Sequence, residues 1–233
     1  MVEVSAVRGA GARRQQLPEE VAAYVRELII SGEVRPGEFL RMEPIAEAVG
    51  VSNTPVREGL LSLRSEGFVE LVPRRGFVVA SFTRQDVRDL FWAQAQLAGE
   101  LAARAAKAIT PDQLAVLEAN VADYEKAFAA GDQEQVADLG HQFHRQINLA
   151  ADSHRLALLL GTVVSQLPNR FYAQIEGHVG GTRQAHPLIL DAIRKRASRQ
   201  ARSLISEHLR EGGDQLVAML EERGMWAEAQ TAS

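Results

Sequence analysis

Three features of the sequence predict a mainly α-helical chain built in two parts. Residues 40–77, LRMEPIAEAVGVSNTPVREGLLSLRSEGFVELVPRRGF, read as a short helix, a Gly-containing turn, a second helix and a two-stranded ribbon, which is the pattern of a winged helix-turn-helix. From residue 84 onward the spacing stays helical and no alternating strand pattern returns, which predicts an all-α antiparallel bundle of six or seven helices. Between the two lies only Ser81-Phe82-Thr83, a hinge without a Pro/Gly-rich linker. The expected division is a flexible tail over 1–16, the winged helix-turn-helix over 17–80, the helical effector-binding and dimerisation domain over 83–223 and a C-terminal tail over 224–233.

Residues 1–16 are rich in Ala, Gly, Arg and Gln and lack a period. Val21, Val25, Leu28 and Ile29 then recur at helical spacing, so a first helix is expected from Leu17 to Ser31, ended by Gly32 and followed by the turn Val34-Arg35-Pro36-Gly37. A short helix is expected over Glu43–Val49 and a turn over Gly50–Asn53. Thr54 is the expected cap of the second helix, with Pro55 at its first position, where a missing N–H costs nothing. Leu60, Leu61, Leu63 and Phe68 supply the apolar face, and Gly67 breaks the helix. Residues 68–72 and 77–80 form the ribbon, joined by the turn Pro73-Arg74-Arg75-Gly76. In the second part, Thr83 and Asp86 resemble a capping pair for a helix over 84–108. Further helices are expected from Thr110-Pro111-Asp112 to Ala130, and over 133–151, 154–176, 183–195, 197–211 and 214–223.

Composition narrows the function. The 233 residues carry a formal net charge of −4 and no cysteine, which excludes disulfides, thiolate zinc sites and cysteine nucleophiles. No apolar run approaches the roughly 18 residues of a membrane span, and the N-terminus lacks an apolar signal region, so a cytoplasmic protein with no membrane partner is expected. Residues 17–82 hold 7 Arg against 10 Glu, so any contact with DNA must be local rather than a broad basic face.

The second helix of such a motif sets its N-terminal residues against base edges in the major groove, while its free amides favour phosphate. Those residues are Ser52, Asn53, Thr54 and Arg57. Arg41 ahead of the first helix joins them, and so do Arg74, Arg75 and Gly76 at the wing tip, placed to reach backbone or minor groove. The competing reading pairs Arg57 with Glu58 or Asn53 and leaves the turn arginines solvated. Taken together, PGEFL and PIAEAVGVSNTPVREGLLSLRSEGFVELVPRRGFVV resemble the DNA-binding domain of GntR-family transcriptional regulators over residues 17–80. Asn53 stands where that family usually has Arg, which points to a different operator preference, towards adenine.

Three histidines fall on separate helices of the second part: His144, His186 and His208. Imidazoles from three helices can converge in a bundle core and bind a transition metal, or they can be polar positions on amphipathic helices. With no HExxH-like spacing and no nucleophile elbow, an enzyme is not expected, and a metal-dependent hydrolase fused to a DNA module is the weaker alternative. The runs FH, H..IL.AI and HL are similar to the ligand-binding domain of the FadR branch of GntR regulators, over residues 84–222. That resemblance implies a divalent metal held by an Asp and three His. His144, His186 and His208 match, whereas Gly140 stands at the Asp position. Asp138 lies about 120° round the helix from His144, and His141, at i−3, is the better replacement. Gln94 and Ala98 stand where an Arg and a Glu are usual. Two readings follow: the three His keep zinc or nickel, or the cavity binds its ligand without a metal.

The resemblance further implies a homodimer on palindromic double-stranded DNA, acting as a repressor whose operator affinity is modulated by a small carboxylate effector. Gln94, Arg145 and Arg170 are candidate effector contacts, with salt bridges to Glu125 or Glu176 as the competing role of the arginines. Phe171 and Tyr172 are expected in the core. A dimerisation scaffold without effector remains a third reading.

Overall fold

The computed structural model describes residues 3–168, 171, 172, 175 and 181–226, with backbone only for residues 3–15. The chain divides into one compact unit formed by residues 1–83 with 223–233, and another formed by Arg84–Glu222. The first unit comprises α1 (Glu3–Ile30), β1 (Phe39–Leu40), α2 (Met42–Val49), α3 (Asn53–Ser65), β2 (Val69–Val72) and β3 (Gly76–Val79). The second comprises α4 (Arg84–Ala108), α5 (Pro111–Ala130), α6 (Gln133–Ala150), α7 (His154–Val164), α8 (Gly181–Arg194) and α9 (Ser198–Glu222). No helix among the described residues is long and apolar enough to cross a membrane.

In the first unit Val21, Val25, Ile30, Val56, Leu60 and Leu63 are buried between α1 and α3. Gly59 sets how near the two helices lie, since a Cβ there would meet the Pro18 carbonyl oxygen at 2.7 Å and Val21 Cγ1 at 2.9 Å. Gly50 closes α2 in the left-handed region (φ 74°), with Val51 N–H bonded to the Ala46 carbonyl at 2.9 Å. The sheet is antiparallel in the order β1-β3-β2, pairing Phe39 with Val78 and Val69 with Val79. Arg26 and Glu66 form a largely buried ion pair at 2.5 Å behind α3.

Several local expectations change. Helical backbone runs back to Glu3, upstream of the expected start at Leu17. The two-residue β1 is too short to leave an alternating signal, and it makes the ribbon a three-stranded sheet. Ser52, not Thr54, is the extended N-cap residue of α3, which moves Pro55 from the first helical position to the third. All of the first four N–H groups of a helix lack intrahelical partners, so Pro is tolerated anywhere in that turn and does not fix the start. Unit 1 also takes back the chain's last described turn, where the Trp226 indole N–H donates to the Phe82 carbonyl at 2.6 Å. Most of the expected tail over 224–233 lies outside the described residues.

In the second unit α4 keeps its expected limits, and α5 is capped by a reciprocal Thr110–Gln113 box. Arg196, itself at φ 58°, donates to the carbonyls of Lys107 (2.7 Å) and Ile109 (2.9 Å), closing the C-terminus of α4. The expected break between 211 and 214 is absent: α9 is one helix through Gly212 and Gly213. These glycines serve packing rather than termination, because a Cβ on Gly213 would stand 2.7 Å from Phe91 Cβ. The helix expected over 154–176 ends at Val164, although Phe171, Tyr172 and Ile175 are again helical. The core gathers Leu101, Ala102, Phe143, Ile147, Ile189 and Ile205 from four helices.

Candidate functional site

The start of α3 is polar and open to solvent. Ser52, Asn53, Thr54 and Arg57 are all exposed, and the Ser52 side chain makes no capping bond, so it is not committed to its own helix. Arg57 makes no ion pair among the described residues, so the pairing with Glu58 is not seen. Arg41 is the exposed N-cap of α2. At the wing, Arg74 (φ 64°) and Gly76 (φ 102°) both adopt left-handed backbone, turning the tip tightly. The Arg75 guanidinium lies 4.5 Å above the Phe39 ring, a cation–π contact that orients it and that sequence reading had no means to find.

In unit 2 the three histidines meet. One ligand atom from each of His144 on α6, His186 on α8 and His208 on α9 lies within 4.8 Å of the others. Helix order alone brings them together: α6, α8 and α9 face one core, and Phe143, next to His144, stacks on the His186 ring at 4.0 Å. His186 is 1 % exposed and, among the described residues, neither of its ring nitrogens has a hydrogen-bond partner. Burial, reinforced by the neighbouring His144 and His208, holds its pKa well below the ordinary imidazole value, so it stays neutral with lone pair available. A buried polar group left unpaired is costly, and a donor set of three imidazoles suits a transition metal. The residues therefore fit a metal such as zinc or nickel. Gly140 is buried and offers no ligand, and Asp138 is exposed on another side of α6. His141 does not belong to the three-histidine group; its ring meets Tyr172 edge-on at 6.1 Å.

His144 and His208 also line a cavity of about 460 Å³. His141, His144, Arg145 and Asn148 present one face of α6 to it at i, i+3, i+4 and i+7. That spacing could have revealed Asn148, and sequence reading missed it along with Phe91 and His154. Gln94, 1 % exposed, donates to the Tyr172 hydroxyl at 2.9 Å, which donates on to the Val164 carbonyl at 3.2 Å. Burial pushes the Tyr172 phenol above its ordinary pKa, opposed by the Gln94 bond. Tyr172 thus lines the cavity, contrary to its expected place in the core, whereas Phe171 is fully buried. Glu125 is taken by Arg183 at 3.0 Å, not by Arg145. Arg170 lies outside the described residues.

Comparison with known proteins supplies the family. Residues 17–79 match the bacterial regulatory proteins of the gntR family, and residues 89–211 match the FCD domain. The chain belongs to the GntR-family regulators that carry an FCD domain. It is 26 % identical over 207 residues to the HTH-type transcriptional regulator YdhC of Bacillus subtilis, covering 85 % of this chain and 90 % of that one. It is 23 % identical to the HTH-type transcriptional repressor RspR of Escherichia coli (91 % and 94 % covered) and 28 % identical to the Glc operon transcriptional activator of the same species (84 % and 87 %). Among solved structures, Escherichia coli McbR/YncC superimposes with a TM-score of 0.61 at 22 % identity, covering 89 % of this chain and 98 % of that one, which shows the shared fold. As a GntR regulator the protein binds DNA through its winged helix-turn-helix, and it is not an enzyme.

Proposed function

We propose that this regulator binds a palindromic operator as a homodimer in the cytoplasm, and that a small carboxylate bound in the helical unit lowers its operator affinity and so relieves repression. One observation carries the reading: in a chain whose other unit binds DNA, a buried three-histidine centre opens onto a cavity large enough for a metabolite. His144, His186 and His208 would hold a zinc or nickel ion, which when bound supplies a Lewis-acidic point for an anionic group. The chain's own residues do the rest. Arg145 brings positive charge to the cavity wall, the histidine rings fix the anion's position, and the Gln94–Tyr172 pair joins α4 to the cavity lining. Because α4 starts at Arg84, directly after Thr83, a shift of α4 between ligand-free and ligand-bound states would be transmitted along the chain without a slack linker. At the DNA, Ser52, Asn53, Thr54 and Arg57 read bases while Arg41, Arg74, Arg75 and Gly76 hold the backbone or minor groove. Relatives of both kinds occur, the repressor RspR and the Glc operon activator, and the direction proposed is that of RspR.

The test is selection of genomic fragments by the purified protein, sequenced after washing at moderate salt. The expected result is a short palindrome beside one metabolic operon, released by an acid that the operon's enzymes handle. Recovery of no specific sequence, with or without zinc, overturns the reading.

A further inference from the structure

The cavity is amphipathic. His141, His144, His208, Arg145 and Asn148 bring polar groups to it, while Phe91, Leu160, Val164, Ile175 and Leu209 supply apolar surface. Two polar side chains of the lining are already satisfied: Gln94 bonds Tyr172, and Tyr172 bonds the Val164 carbonyl. They form a neutral pair bonded to one another, with the His141 ring edge-on to Tyr172 at 6.1 Å. Arg145 differs from them. It is exposed, lines the cavity, and has no ion pair or hydrogen bond among the described residues. A cavity near 460 Å³ is in the range that encloses drug-sized ligands, so lactate or malate would leave most of it unfilled and its apolar wall wet.

We infer that the effector is a monocarboxylate with an extended apolar body, a medium-chain or aromatic acid rather than a short hydroxy acid or a dicarboxylate. This rests on the reading of the helical unit as effector-binding. The carboxylate sits at the His144–Arg145 side, and the hydrocarbon lies against Phe91, Val164 and Leu209. Each methylene buried there removes apolar surface from water, whereas a second carboxylate would be desolvated against those apolar side chains.

Calorimetric titration of the full chain, with zinc present, against butanoate, hexanoate, octanoate, octan-1-ol, suberate and malate tests this. Affinity is expected to rise about fourfold per methylene from butanoate to octanoate. Suberate, which is octanoate with a second terminal carboxylate, is expected to bind at least about tenfold more weakly. Arg145→Gln, at an exposed position whose loss leaves folding intact, should weaken octanoate about fivefold while leaving octan-1-ol unchanged. An affinity that does not change with chain length, or tighter binding of malate or suberate than of octanoate, overturns the inference and leaves an effector site standing. If no acid of either kind binds to protein that still binds DNA, the effector reading itself falls and takes this inference with it.

Discussion

His186 sits fully buried against Phe143 with both ring nitrogens unpaired among the described residues, an arrangement that destabilises the metal-free fold. A bound transition metal removes that penalty, and the neutral state favoured by burial leaves a lone pair free for it at neutral pH. Zinc or nickel added to chelator-stripped protein should therefore raise the melting temperature in a concentration-dependent way. His186→Leu should abolish that rise and leave the metal-free melting temperature equal or higher, because an apolar side chain replaces an unsatisfied polar one. Differential scanning calorimetry checks both. A metal response that survives in His186→Leu would remove the three-histidine site, and a stripped protein indifferent to metal would leave the ligand to bind without one. These three histidines were legible as candidates because each falls on a separate helix and the FadR-branch resemblance matches all three. Tyr172 and Arg75 were not, since their partners, Gln94 and Phe39, lie 78 and 36 positions away and follow no local period.

Whole elements were legible where their punctuation was local. Thr110-Pro111 starts α5 and Gly131 (φ 73°) ends it, both as the sequence implies. One failure came where a glycine has two possible meanings. Gly212-Gly213 reads as a helix break, yet here it lets α9 approach the Phe91 side chain of α4. The same substitution should then have opposite signs at two helical glycines. Gly161→Ala in α7 meets nothing within 4 Å, so it should stabilise by about 0.5–1 kcal/mol through backbone entropy. Gly213→Ala should cost about 1–2 kcal/mol, because an added methyl 2.7 Å from Phe91 Cβ meets the root of a buried side chain rather than a flexible end. Denaturant midpoints at fixed m-value decide it, and equal signs at the two positions would show that Gly213 is not a packing glycine.

At the scale of the molecule, the succession of a winged helix-turn-helix and a helical bundle was legible from the change in periodicity, whereas the cavity was not. Its shape arises from five helical segments whose spacing no single stretch encodes. The chain leaves the first unit at Thr83 and re-enters it at Arg223. On the first-unit side, Phe82 is held by stacking on Phe68 at 5.4 Å and by the Trp226 hydrogen bond to its carbonyl. The proposed homodimer, with its two reading helices set on one palindrome, should tolerate only one phasing of its two half-sites. Inserting about half a helical turn, roughly 5 base pairs, between the half-sites of the selected palindrome should reduce affinity at least about tenfold, towards that of a single half-site. Inserting a full turn, roughly 10 base pairs, restores the facing of the half-sites and should recover part of the loss. Fluorescence anisotropy on the three duplexes measures this. Equal affinity for all three would mean that the half-sites are bound independently, and the proposed dimer, with its orientation set by the helical unit, would have to be abandoned.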